Sequence, residues 1–332
     1  MTRGTGQHKD PADDYRVEVS ADRRPAPGPI AILPESTALF EDAVAAGGGT
    51  VAALDGDTRG LIWLGGRDPR ELAQTLTDHP GIGWVQLPMA GVDAYADVFA
   101  EHPVRPLWTS AKGVFSEPVA EHAVALALAC LRNLPEKAHG TSWEDPKRGL
   151  SIYDRHVVIV GAGGIAKEIM RLLAPYEVEV TVVRRSTTPL DGADRTIAVT
   201  GLAGVLPQAD VLILAAASTG ETARMIGAAE LALMKPSAVL VNIARGPLVD
   251  TDALVAALSS GAILGAGLDV TDPEPLPDGH PLWNEPRAII TSHAADTPEM
   301  TAPLLADRIR ANVEAFLGHG RYVGVIDAEA GY

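Results

Sequence analysis

Arg245, Glu274 and His293 are residue types that together could reduce a carbonyl, and each follows a short apolar run. Arg245 comes after the run 238–244, Glu274 four residues after Val270, and His293 two residues after Thr291. A guanidinium grips a carboxylate through two parallel hydrogen bonds, and an imidazolium can give its proton to a carbonyl oxygen as hydride arrives at the carbon. A carboxylate bonded to the ring would hold its tautomer and favour its protonated form. Taken singly, the three also read as a surface charge, a Pro-flanked loop residue and a structural histidine. What joins them is position, since ligands of a doubly wound sheet gather beyond the carboxyl ends of its strands.

A second constellation binds rather than reacts. Gly161-Ala162-Gly163-Gly164-Ile165-Ala166 follows the apolar run 157–160 directly and opens a helix reaching Leu173. This is the G-x-G-x-x-G/A pattern in its strand-turn-helix setting. The first glycine permits the tight turn, and the second lets the backbone approach a pyrophosphate at the positive end of the helix. Gly161, Gly163, Gly164 and Ile165 are therefore the expected dinucleotide contacts. The next strand, 178–183, ends in Arg184-Arg185-Ser186, with Arg184 placed 21 residues after Gly163. An NAD-binding strand usually ends there in an acidic residue. Two guanidiniums and a hydroxyl suit a 2′-phosphate instead, which favours NADP(H) over NAD(H).

These residues need strand ends to stand on. Apolar runs at 157–160, 178–183, 211–216, 238–243, 263–268 and 288–291 alternate with helical segments. Strands apolar on both faces belong to a parallel sheet covered on both sides, so the fold class is α/β, doubly wound. Upstream, Ile30 to Leu33, Leu61 to Leu64 and Trp84 to Leu87 give the same rhythm, with a helical stretch at 69–76. Residues 117–134 read as one long linking or dimer-forming helix, and 300–317 as a closing helix. Residues 1–28, rich in charge and poor in apolar side chains, read as a disordered tail.

Composition narrows the partners. The chain has 332 residues, enough for two domains at about 150 residues each. Its 27 basic and 43 acidic residues leave a net charge of −16, which argues against nucleic acid. No apolar run approaches the roughly 20 residues that span a bilayer, and no metal-ligand cluster is evident. A single cysteine, Cys130, closes no internal disulfide, and the N-terminus lacks a secretory pattern, so a cytoplasmic setting is expected.

Several ordered motifs resemble those of the D-isomer-specific 2-hydroxyacid dehydrogenase family across about residues 80–318. They are Val119-Ala120-Glu121-His122-Ala123, the glycine loop, Val241-Asn242-Ile243-Ala244-Arg245-Gly246-Pro247-Leu248-Val249-Asp250, Gly265-Ala266-Gly267-Leu268-Asp269-Val270, Pro273-Glu274-Pro275-Leu276-Pro277 and Thr291-Ser292-His293-Ala294-Ala295. The resemblance implies Arg245 as carboxylate anchor, His293 as acid/base and Glu274 as its partner. It also implies Asp269 at the nicotinamide carboxamide, Ala244 and Thr219 at the cofactor, and the amides of Ala90 and Gly91 on the substrate carboxylate. Two Rossmann-like domains with an active-site cleft between them are implied. One is a substrate domain of residues 29–115 plus 298–332, the other an NADP-binding domain of 116–297 that includes the linking helix. A homodimer through that helix is a family trait.

Ser292 departs from the proline common before the family's histidine, and the absent acidic residue resembles the NADPH-using glyoxylate and hydroxypyruvate reductases. The expected substrate is thus a small 2-oxo or D-2-hydroxy acid. Alternatives are the same chemistry with NAD(H) on a bulkier 2-oxo acid or on phosphoglycerate, with Arg105 and Lys112 as phosphate candidates. A dinucleotide-sensing, corepressor-like interaction protein is a further alternative.

Overall fold

The computed structural model describes residues 15–65, 69–102, 106–138, 140–141, 143 and 147–328. They fall into two compact units, one reaching Ser116 and resuming at Thr297, the other spanning Glu117–Asp296. In chain order the first unit holds β1 (Arg16–Val17), β2 (Ile30–Leu33), α1 (Ala38–Ala46), β3 (Gly60–Trp63), α2 (Pro69–Asp78), β4 (Trp84–Gln86), α3 (Ala96–Glu101) and β5 (Leu107–Thr109). Helix α4 (Ser116–Leu131) opens the second unit, followed by α5 (Leu134–Ala138), β6 (His156–Val160), α6 (Gly164–Leu173), β7 (Glu179–Arg184) and β8 (Arg195–Ala198). Next come α7 (Leu202–Val205), β9 (Val211–Leu214), α8 (Ala228–Leu233), β10 (Val239–Asn242), α9 (Thr251–Ser260), β11 (Gly265–Leu268) and β12 (Ala288–Ile290). Helix α10 (Pro298–Phe316) and β13 (Tyr322–Val323) return to the first unit.

The second unit is built on a seven-stranded sheet in the order β12-β11-β10-β9-β6-β7-β8, every pair parallel. Its direction of winding reverses between β6 and β9, the point where such sheets bind ligands. Every residue of β6, β9 and β10 is buried. One face packs against Leu202, Leu231, Leu254 and Leu258, the other against Ala123, Leu126, Ile169 and Leu173. The continuous apolar runs therefore have cover on both faces.

In the first unit, β2, β3, β4 and β5 form a parallel sheet. Val51 adds a parallel bridge to Ile30 on the far side of β2. Counting that bridge as the second strand gives the order 2-1-3-4-5, the flavodoxin-like form of a doubly wound sheet. Helices α1 and α10 pack on one face through Phe40, Val44, Ile309 and Val313.

Two sequence expectations are corrected. Part of the tail read as disordered is packed: Arg16 and Val17 pair antiparallel with Val323 and Tyr322, and Val19 is buried. The charge there is put to use, as the Arg24 guanidinium donates to the carbonyls of Ala315 and Gly320. Residues 1–14 of that tail lie outside the described residues. The single helix expected over 117–134 ends at Leu131, and Asn133 takes a left-handed φ of 52° before α5. Asn tolerates that conformation, and Pro135 falls in the first turn of α5, where its missing amide costs no helix hydrogen bond. Strand β8 goes beyond the sequence expectations, because Arg195 and its neighbours form a half-exposed edge with no apolar run.

Candidate active site

Three strands end in register. Asn242 on β10 pairs with Leu268 on β11, and Leu268 with Ile290 on β12. Strand neighbours lie about 4.8 Å apart, so the residues that follow these three share one edge of the sheet. Asp269 comes immediately after Leu268, while Arg245 and His293 each stand three residues beyond their own row member.

Glu274 reaches this edge from the loop after β11. Thr251 Oγ1 donates to the Asp272 carbonyl at 2.6 Å and Thr271 Oγ1 to the Pro273 carbonyl at 2.9 Å, which fixes the loop on both sides of Asp272. Gly246, beside Arg245, approaches the Thr271 carbonyl so closely that a Cβ there would overlap it. The two active loops are thereby packed backbone to backbone.

His293 Nδ1 lies 2.7 Å from Glu274 Oε1. A carboxylate only accepts, so Nδ1 carries the proton of this bond and Nε2 is the ring nitrogen left for chemistry. Both side chains are 30% exposed, close enough to the surface for a small substrate to reach.

The turn carrying His293 is unusual. Ser292 and His293 both have positive φ, 52° and 55°, a region that side chains other than Gly rarely enter. Proline, with φ fixed near −65°, could not occupy position 292 in this geometry. Asp269 holds the turn: its buried carboxylate accepts from Thr291 Oγ1 at 2.6 Å, the Ala294 amide at 2.8 Å and the Ala295 amide at 3.2 Å. The His293 amide donates to the Asp269 carbonyl at 2.6 Å.

Arg245 is half-buried. Its Nη1 donates to the Ala244 carbonyl at 2.8 Å, and Asn242 clips the loop by accepting from the buried Ala244 amide and donating to the Arg245 carbonyl.

The glycine loop lies at the winding reversal. Gly161 has φ +116°, and a Cβ there would run into the Ala215 carbonyl. A Cβ on Gly163 would meet nothing within 4 Å. Gly163 caps α6 without a side chain, so the first amides of this ten-residue helix, those of Gly164 and Ile165 among them, have no side-chain acceptor at the cap. Backbone open to close approach plus a positive helix end with no side-chain cap fit a pyrophosphate. Arg184 ends β7 half-buried, Arg185 is exposed, and Ser186 Oγ pairs with Thr188 Oγ1 at 2.8 Å. Glu179 stands at the opposite end of that strand. Thr219, exposed after β9, exchanges hydrogen bonds with Thr222.

Ala90 and Gly91 lie on the loop after β4 in the first unit, with the Met89 carbonyl tied to the Ala111 amide at 3.1 Å. Lys112 is half-buried, and Arg105 lies outside the described residues. Three neighbours of His293 escaped the sequence reading as functional groups: Thr291, His122 and Asp296. His122 stood inside a family motif without an assigned role, and Thr291 reads only as a strand-end residue. Burial pushes the Asp296 carboxyl above its ordinary range; the His293 charge works against that shift and the Asp269 charge adds to it. Among the described residues no cluster of three or more His, Cys, Asp or Glu could hold a metal, and no helix is long and apolar enough to cross a membrane.

A doubly wound parallel sheet with a glycine turn at its reversal and a histidine–glutamate pair at its carboxyl edge defines a dinucleotide-binding oxidoreductase. Residues 124–295 match the family model for the D-isomer specific 2-hydroxyacid dehydrogenase, NAD binding domain, and the chain belongs to that family of NAD(P)-dependent enzymes. It is 38% identical over 297 residues to an uncharacterized protein in the proB 3′ region of Corynebacterium melassecola, covering 87% of this chain and 95% of that one. It is 34% identical over 220 residues to a glyoxylate reductase of Pyrococcus furiosus, covering 63% of this chain and 65% of the relative. Among solved structures, the TT0316 protein of Thermus thermophilus aligns with a TM-score of 0.73 at 30% identity, over 90% of this chain and all of that one.

Proposed function

We propose that this enzyme is an NADPH-dependent reductase that converts a small 2-oxo acid, such as glyoxylate or hydroxypyruvate, into its D-2-hydroxy acid. The observation that carries the reaction is the 2.7 Å contact between His293 Nδ1 and Glu274 Oε1. With Nδ1–H committed to Glu274, the protonated ring gives its Nε2 proton to the carbonyl oxygen. Arg245 holds the substrate carboxylate. When bound, the dinucleotide supplies the hydride, so the carbonyl carbon gains hydride, the oxygen gains the His293 proton, and a hydroxy acid leaves.

The cofactor preference rests on the end of β7, where Arg184, Arg185 and Ser186 stand in place of the acidic residue usual for NAD and offer charge-assisted bonds to a 2′-phosphate. Similarity to a glyoxylate reductase supports a short substrate. The homodimer belongs to the same proposal and rests on the family resemblance, while the cytoplasmic setting rests on the single cysteine of the sequence.

The test compares NADPH with NADH across a panel of 2-oxo acids, then repeats the comparison with Arg184→Asp. The expected result is a preference for NADPH that shrinks at least about tenfold in the variant, the loss of one charge-assisted bond and its replacement by a repulsion. An unchanged preference, or no turnover with any 2-oxo acid, contradicts the proposal.

A further inference from the structure

We propose that His122, on helix α4, is a positioning residue that sets the His293 turn through a relay of hydrogen bonds, an inference that rests on the acid/base role proposed for His293. His122 Nε2 lies 2.9 Å from Thr291 Oγ1 and 3.6 Å from Asp269 Oδ1. Thr291 Oγ1 lies 2.6 Å from Asp269 Oδ1.

The direction of the relay follows from counting protons. A hydroxyl has one proton, and the ionised carboxylate of Asp269 can only accept, so that proton points to Asp269. Thr291 Oγ1 must then accept from His122, which carries a proton on Nε2. His122 donates to Thr291, Thr291 to Asp269, and Asp269 also gathers the amides of Ala294 and Ala295. The His293 amide closes the set on the Asp269 backbone.

This arrangement explains how two adjacent side-chain-bearing residues persist at positive φ. Such conformations hold only where their surroundings over-determine them, and here donors converge on one buried carboxylate. Glu274 orients the His293 ring, while the relay places the backbone from which that ring projects. His122 adds what the turn cannot supply for itself, a tie from a helix lying more than 150 positions earlier in sequence.

The test pairs His122→Leu, which removes the donor, with His122→Gln, whose side-chain amide keeps one, and Thr291→Val with Thr291→Ser. At saturating NADPH and 2-oxo acid, kcat should fall about tenfold or more in His122→Leu, the scale of losing a partner that orients a reacting group. KM should move less than about threefold, and His122→Gln should recover most of kcat. The double variant His122→Leu/Thr291→Val should be no slower than the worse single one, because both break the same relay. An unchanged kcat in His122→Leu, no rescue by Gln, or additive losses would overturn the proposal.

A readout independent of turnover is the ¹⁵N spectrum of histidine-labelled protein without cofactor. It should show His122 protonated on Nε2, with His293 ring signals displaced by His122→Leu and restored by His122→Gln. An Nδ1–H tautomer with bare Nε2 would contradict the relay, even if no 2-oxo acid were turned over. Should His122→Leu fail to fold, Thr291→Val and Thr291→Ser carry the same comparison.

Discussion

His293 and Glu274 do different work, and their substitutions should differ accordingly. His293→Asn removes the proposed proton donor and should lower kcat by about 10²- to 10⁴-fold, the usual contribution of general acid–base catalysis. Glu274→Gln keeps an acceptor for Nδ1–H but not the carboxylate, so its kcat should fall less than that of His293→Asn, which steady-state rates of the two variants read directly. Asp296 offers a separate check, this time on stability. Its carboxyl titrates above the ordinary value of 3.8 in the fold, chiefly because burial penalises its charge. The folded state therefore holds its proton more tightly than the unfolded chain, and stability is lost as pH rises through the shifted value. Asp296→Asn should raise Tm at neutral pH, and the gain should vanish below pH 3.8. The His293–Glu274 pair was legible in the sequence because both residues follow apolar runs and have complementary chemistry. The clamp beneath them was not, since it depends on positive φ at Ser292 and His293, which residue type does not announce.

At the scale of elements, the sheet's central strands were readable because burial on both faces forces continuous apolar runs. The edge escaped notice for the same physical reason: β8 packs only partly, so Arg195 and Thr196 are tolerated there. The opposite edge of the sheet from the site depends on Asp210. Its carboxylate accepts from the His156 amide at 3.0 Å and from Lys235 Nζ at 2.9 Å, joining the starts of β6 and β9. Burial works to raise the Asp210 carboxyl, but the Lys235 and His156 hydrogen bonds and the charges of Lys235 and Arg155 outweigh it and hold the group below 3.8. A lowered carboxylate contributes stability above its unfolded value and loses it as pH falls through the folded one. Asp210→Ala should cost about 1–3 kcal/mol at neutral pH, because it orphans a buried amide. Denaturant titrations should show that cost shrinking below pH 3.8.

For the whole molecule, a net charge of −16 conceals where individual charges go. Arg24 reads as part of a solvated tail, yet it bonds two carbonyls of the first unit and lies over the Tyr322 ring, 5.7 Å from its centroid. Such contacts join residues nearly 300 positions apart, beyond any local sequence pattern. Cys130 gives a probe of the second unit as a body. It is buried under the sheet, and burial pushes its thiol up to about 12. The native protein should therefore resist thiol reagents at mildly alkaline pH, and labelling during denaturation should follow unfolding of the second unit. Rapid labelling of the native enzyme would show that α4 opens readily. The most direct test of the central claim is NADPH oxidation by glyoxylate or hydroxypyruvate, measured side by side for the wild-type enzyme and His293→Asn with cofactor binding verified in both. Turnover is expected in the first and a loss of at least about 10²-fold in the second; equal rates in the two, or no rate in either, would contradict it.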